Sequence, residues 1–305
     1  MNVYFLGEYI KKQREKLGLT QEQVCAGICE QVTLSRLENG RQTPSRTRVN
    51  AILQRLGLPE DRYYMLLSKN ELEIEALKKE IIACNALDRA EEGLAKVAQL
   101  EQRVDAEDPL EQQFVLRSKA LLGHLAGRYT KEEKLELLLQ ALCLTIPDFD
   151  LEKIGTHLYT VDEIKLINQI AGVYADLGQH KKAADLYDRL LNYVQKHQQE
   201  AVISSGMLPM VLGNYARALD LCGDYAEAVD YAQQGVEACV RYGHYQMLYA
   251  CLAIQAECYH FLKQDAKSAE AYHEAYYLCK IIGREESLRA IQEEAKNYSG
   301  LEFPY

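Results

Sequence analysis

The chain has no tryptophan, only six prolines among 305 residues, and no stretch of 18 or more apolar residues. Scarce proline leaves little to interrupt helices, and the abundant Ala, Leu, Glu, Lys and Gln favour them throughout. Without a long apolar run there is no candidate transmembrane helix. The N-terminus also lacks the charged-then-apolar pattern of a secretory signal, so a cytoplasmic protein with no membrane partner is expected. Phosphate-binding loop, dinucleotide fingerprint, Gly-x-Ser-x-Gly and His-Glu-x-x-His motifs are all missing. The seven histidines are scattered and the carboxylates fall on amphipathic helices. The sequence therefore nominates no catalytic residue, metal site or cofactor, and a non-enzyme is expected.

Nine cysteines are an odd number, and none forms a Cys-x-x-Cys pair. Cys239, Cys251, Cys258 and Cys279 fall at apolar positions of helical patterns. Cys25 and Cys29 lie one helical turn apart, but no histidine or second cysteine pair follows at ligand spacing. Buried, reduced thiols acting as small hydrophobes account for them best. Tyrosine, by contrast, is frequent at 21, and several cluster in the last third, from Tyr231 to Tyr277. They are expected as core wedges and as part of a dimer interface, where aromatic residues are enriched.

The net charge of −10 argues against a nucleic-acid partner until the chain is divided. Residues 1–68 hold ten Lys/Arg against seven Asp/Glu, whereas 69–305 hold 25 against 38. A mildly basic head on an acidic body is the distribution of a DNA-reading module joined to something else.

The head reads as short helices. Leu6, Tyr9, Ile10 and Leu17 make one apolar face of a first helix whose other face is basic. Gly18 ends it, and Thr20 with Gln23 three residues on forms a capping box for a second helix. Val24 and Ile28 face inward. A third helix begins near Glu30 or Gln31 and turns Leu34 and Leu37 to the core, leaving Gln31, Val32, Thr33, Ser35 and Arg36 outward. Asn39-Gly40 closes it, and a fourth helix carries Val49, Ile52, Leu53 and Leu56.

The words Leu19-Thr20-Gln21-Glu22-Gln23-Val24 and Leu34-Ser35-Arg36-Leu37-Glu38-Asn39-Gly40 resemble the phage-repressor/Cro-type (XRE) helix-turn-helix domain over Leu6–Leu67. The Gly27-Ile28-Cys29-Glu30-Gln31 turn is one residue shorter than usual, similar to the PlcR-like (RRNPP) branch of peptide-pheromone regulators. The resemblance implies that Gln21 clamps a DNA phosphate and that Gln31, Val32 and Thr33 face base edges. It also implies that Arg36 contacts a base or phosphate, that Arg41 and Thr43 hold the backbone, and that Arg14 pairs with Glu38 structurally.

From Glu71 onward a pattern of large apolar residues, a break, and a small-x-x-x-large helix recurs about every 40–50 residues. The clearest copy runs through Ile167, Ile170, Ala171 and Tyr174, then Ala183, Tyr187 and Leu190. A terminal helix is expected over 284–298. The body resembles tetratricopeptide repeats with lengthened helices. The expected fold is all-α: a lambda-repressor-like head, 1–68, followed by a right-handed tetratricopeptide-like α-solenoid, 69–305, for ligand binding and dimerisation.

In such arrays the first helix of each hairpin lines a groove. Groove positions counted from the repeat anchors include Lys165, Asn168, Gly172, Gly213, Asn214 and Arg217. The asparagine amides can grip a peptide bond, and Lys165 and Arg217 can take a carboxylate. The mid-helix glycines have two readings, clearance for a ligand or close contact with a neighbouring helix. The expected function is a homodimeric, sequence-specific transcription regulator bound to a near-palindromic operator and controlled by a short linear peptide. The alternative is a DNA-bound adaptor whose repeats recruit a protein.

Overall fold

A computed structural model describes residues 6–42, 44–58, 69–197 and 205–303. Among them are fifteen α-helices and no strand. Four short helices form the head: α1 (Leu6–Lys16), α2 (Gln21–Cys25), α3 (Gln31–Glu38) and α4 (Arg46–Arg55). Thr20 caps α2 reciprocally: Gln23 N donates to Thr20 Oγ1 at 3.1 Å, and Thr20 N donates to Gln23 Oε1 at 2.8 Å. Ile10, Val24, Ile28, Leu34, Leu37, Val49 and Ile52 make the core.

The first helix departs from its expected face. Ile10 is buried, but Tyr9 and Leu17 are 46% and 48% exposed. The cause is a close helix crossing at Gly7, where an added Cβ would lie 1.9 Å from the Leu37 carbonyl oxygen. That crossing sets the inward face through Gly7 and Ile10, which turns Tyr9 to solvent.

The repeat region supplies α5 (Lys69–Ala86), α6 (Ala90–Glu101), α7 (Pro109–Leu125), α8 (Lys131–Cys143) and α9 (Val161–Asp176). It continues through α10 (His180–Lys196), α11 (Met207–Cys222), α12 (Tyr225–Tyr242), α13 (Leu248–Phe261), α14 (Asp265–Ile281) and α15 (Glu285–Ser299). Local signals start them: Asp108 caps α7 with Pro109 next, and Thr130 with Glu133 boxes α8. No helix among the described residues is long and apolar enough to cross a membrane.

The chain forms two compact units that divide at Val173/Tyr174, within α9. The first unit holds the head together with α5 to α8 and most of α9. In the second, small residues permit close crossings: Ala228, Ala232, Ala256 and Ala275 are fully buried, and Tyr272 and Tyr276 wedge beside them. Cys251 sits between two glycines, its Sγ 3.2 Å from where a Cβ on Gly213 would stand and 2.8 Å from one on Gly235.

Candidate nucleic-acid interface and ligand groove

Helix α3 carries its core on one side, through Leu34 and Leu37, and its polar residues on the other. Gln31, Val32 and Arg36 are exposed and Thr33 is half-buried. Val32 leaves 47% of its surface in water. The chain closes behind the helix, where the Arg41 backbone N–H donates to the Arg36 carbonyl at 2.8 Å, and the Arg41 side chain is exposed. Thr43 lies outside the described residues.

What holds α3 at a fixed angle is a buried carboxylate. The guanidinium of Arg14 on α1 grips Glu38 in two places, Nε to Oε1 at 2.6 Å and Nη2 to Oε2 at 2.9 Å. A third donation from Arg14 Nη1 reaches the Leu19 carbonyl at 3.0 Å. Glu38 Oε2 also accepts from Gln21 Nε2 at 2.8 Å. One N–H of the Gln21 amide is thus committed to Glu38, and its second N–H points to no acceptor among the described residues of the head. Gln21 ties the start of α2 to the end of α3.

The head also packs on the repeat helices of its own unit, through residues that sequence reasoning did not single out. Arg55, at the end of α4 and almost wholly buried, donates to the Val24 and Ala26 carbonyls that close α2. On its other side it reaches Glu163 Oε1 at 3.2 Å, a carboxylate with no exposed surface. Glu163 simultaneously boxes the start of α9, its Oε2 accepting from Thr160 N at 2.6 Å. Gln54 Oε1 accepts from Val161 N at 3.1 Å, and Arg48 pairs with Asp108 at 3.0 Å. Gly27 in the helix-turn-helix bend has φ +68°, and an added Cβ would stand 1.9 Å from the Thr145 carbonyl oxygen. The Thr160-x-x-Glu163 spacing is a legible capping box, but nothing local tells that its carboxylate serves a distant arginine.

The expected groove residues fall in both units. On α9, Lys165 Nζ donates to Asp162 Oδ1 at 2.9 Å, Asn168 is buried, and Gly172 is half-buried. On α11, Asn214 is half-buried. Gly213 faces Cys251, so helix packing rather than ligand clearance accounts for that glycine. Arg217, on the same helix, has acidic neighbours. It already donates to Asp220 Oδ2 at 2.7 Å and to Glu257. Burial pushes the Asp220 carboxyl above its usual range, and the neighbouring Glu257 charge adds to this. Two carboxylates around one guanidinium leave local negative charge, which disfavours a third.

Two family models match the chain, one after the other. Residues 6–63 match a helix-turn-helix domain model, and residues 79–299 match the model of the RNPP family C-terminal domain. PlcR from Bacillus thuringiensis, solved with the peptide PapR7 and DNA, is 24% identical with a TM-score of 0.63, over 95% of this chain and 99% of that one. ComR from S. thermophilus, solved with DNA and its signalling peptide ComS, is 16% identical with a TM-score of 0.51, over 97% and 100%. Aspartyl phosphate phosphatase F from Bacillus subtilis is 12% identical with a TM-score of 0.55, over 98% and 82%. At these identities the likeness establishes a shared fold. No curated protein matches the chain. The family model spans most of the chain and begins just beyond the helix-turn-helix match: this chain belongs to the RNPP family.

Proposed function

We propose that the protein is a cytoplasmic, homodimeric, sequence-specific transcription regulator whose operator affinity is set by a short linear peptide. Residues 1–68 are its reading head, and 69–305 its receptor and dimerisation region. The observation that carries the DNA reading is the exposed face of α3, with Gln31, Val32 and Arg36 in water and the opposite face locked to the head's core and to Glu38. Gln31 offers the two-point geometry that suits an adenine edge, Val32 and Thr33 suit thymine methyls, and Arg36 takes guanine or phosphate. Arg41 and Thr43 hold the flanking phosphates. Two copies spaced about one DNA turn apart fit a near-palindrome.

Peptide control is supported by family membership and by the two relatives whose structures hold DNA and a peptide together. Asn168 and Asn214 are the proposed peptide-bond contacts, each within its own unit, and Gly172 leaves room for a ligand backbone. The phosphatase relative has the same fold, so the reading head is what favours regulation of DNA here.

An operator selected from random DNA is expected to be retarded by the full-length protein in a gel. The double variant Gln31→Ala/Arg36→Ala should weaken that binding about a hundredfold or more, because each good base contact contributes about 1–3 kcal/mol. The variant should melt at the wild-type temperature, since both side chains are exposed. Retained sequence-specific binding by a folded double variant would overturn the assignment of α3.

A further inference from the structure

Within the first unit, a cavity of about 290 Å³ lies between α4 of the head and helices α5, α7 and α9 of the repeats. Its charge runs against the surrounding sequence. The region 69–305 is strongly acidic, yet the cavity wall gathers five cations, Arg46, Lys78, Lys79, Arg117 and Lys165, against Glu75 and Asp162. Nearby acids do not neutralise them all. Lys78 pairs with Glu111 at 2.7 Å, and Asp162 stands between Lys165 at 2.9 Å and Arg117 at 3.7 Å. Among the described residues neither Arg46 nor Lys79 has a carboxylate partner. Desolvation pushes the Asp162 carboxyl up, but Lys165, Arg117 and Lys78 together outweigh it and hold it down at about 2. The pocket thus stabilises negative charge already, and it retains cations to spare.

The volume is at the lower edge of ligand pockets, about 300–1,000 Å³, which suits the end of a peptide rather than its whole length. One wall is the DNA-reading head itself, through Arg46 and Asn50 of α4. We propose that this cavity binds a carboxylate of the controlling peptide, so that the ligand touches the head directly as well as the repeats. The proposal rests on the peptide-binding reading above. It gives that reading a polarity: the cation cluster under α4 takes the peptide's negative end, whereas Arg217, already held by two carboxylates, does not.

Full-length protein is mixed with three synthetic hexapeptide pools and retained peptides are counted by mass spectrometry after gel filtration. One pool has free C-termini and no Asp or Glu; a second is amidated and contains Asp and Glu; a third is amidated and acid-free. At least tenfold greater retention of the first or second pool over the third is expected, and which of them dominates tells C-terminus from side chain. Arg46→Gln/Lys79→Gln should lose about tenfold of that retention at an unchanged melting temperature, as for removal of charge-assisted hydrogen bonds. Lys131→Gln, at the exposed start of α8, should lose none. Bound peptide should slow amide exchange in 46–55. Equal retention of the acid-free pool, or full retention by the double variant, would overturn the anion pocket while the peptide reading stood. Retention of no pool would overturn the peptide reading and the pocket with it.

Discussion

At the scale of single residues, the head depends on a carboxylate withdrawn from water. Glu38 has 1% of its side chain exposed, and such a charge is tolerable only because Arg14 and Gln21 saturate it. Glu38→Ala leaves Arg14, whose side chain is only 11% exposed, without its carboxylate partner on α3. Breaking a buried pair from one side costs about 3–5 kcal/mol, so urea unfolding of the head should shift by that order. Arg36→Ala, an exposed change, should leave the same unfolding curve in place. A loss below about 1 kcal/mol in Glu38→Ala would show that the pair does not hold α3. The Arg14–Glu38 partnership was implied by the resemblance to the XRE helix-turn-helix domain, and the structure forms it. The Gln21 contact was not legible, since its partner is chosen by a spare lone pair on a buried acceptor 17 residues away, and spacing alone carries no trace of that.

At the scale of elements, the head's helices and their caps could be read from Thr20, Gly18 and the 3.6-residue periodicity. The inward face of α1 could not, because the missing side chain of Gly7 sets the crossing. The larger gap concerns α9. Its capping box is local, but Glu163 also holds Arg55, so one carboxylate fixes both the start of a repeat helix and the end of α4. Glu163→Ala should therefore raise hydrogen exchange in two separate stretches, 46–55 and 161–168, and lower the melting temperature. A rise confined to 161–168 would mean that the arginine contact adds nothing beyond the cap. Helix α9 also carries Lys165, Asn168 and Gly172 within three turns of Glu163, which places proposed ligand contacts and the head's anchor on one rigid element.

At the scale of the whole molecule, the charge asymmetry between 1–68 and 69–305 stands in the composition, and the repeat pattern was legible from small residues at helix crossings. What composition could not show is that the head is packed into the same compact unit as α5 to α8, through Arg48, Gln54, Arg55 and Gly27. Those contacts join residues about 60 to 120 positions apart and obey no periodicity. Their consequence is physical. A ligand shifts an equilibrium only by its differential affinity for two states, and one that touches α4 while seated on the repeats has a direct route to such a difference.

The central claim is that ligand occupancy and operator affinity are linked. The measurement that tests it is the DNA concentration at half-saturation for the selected operator, taken on full-length protein with and without a saturating amount of the peptide it retains. A shift of about tenfold or more, corresponding to roughly 1.4 kcal/mol of coupling, is the predicted result. Identical operator affinity at full peptide occupancy would contradict it.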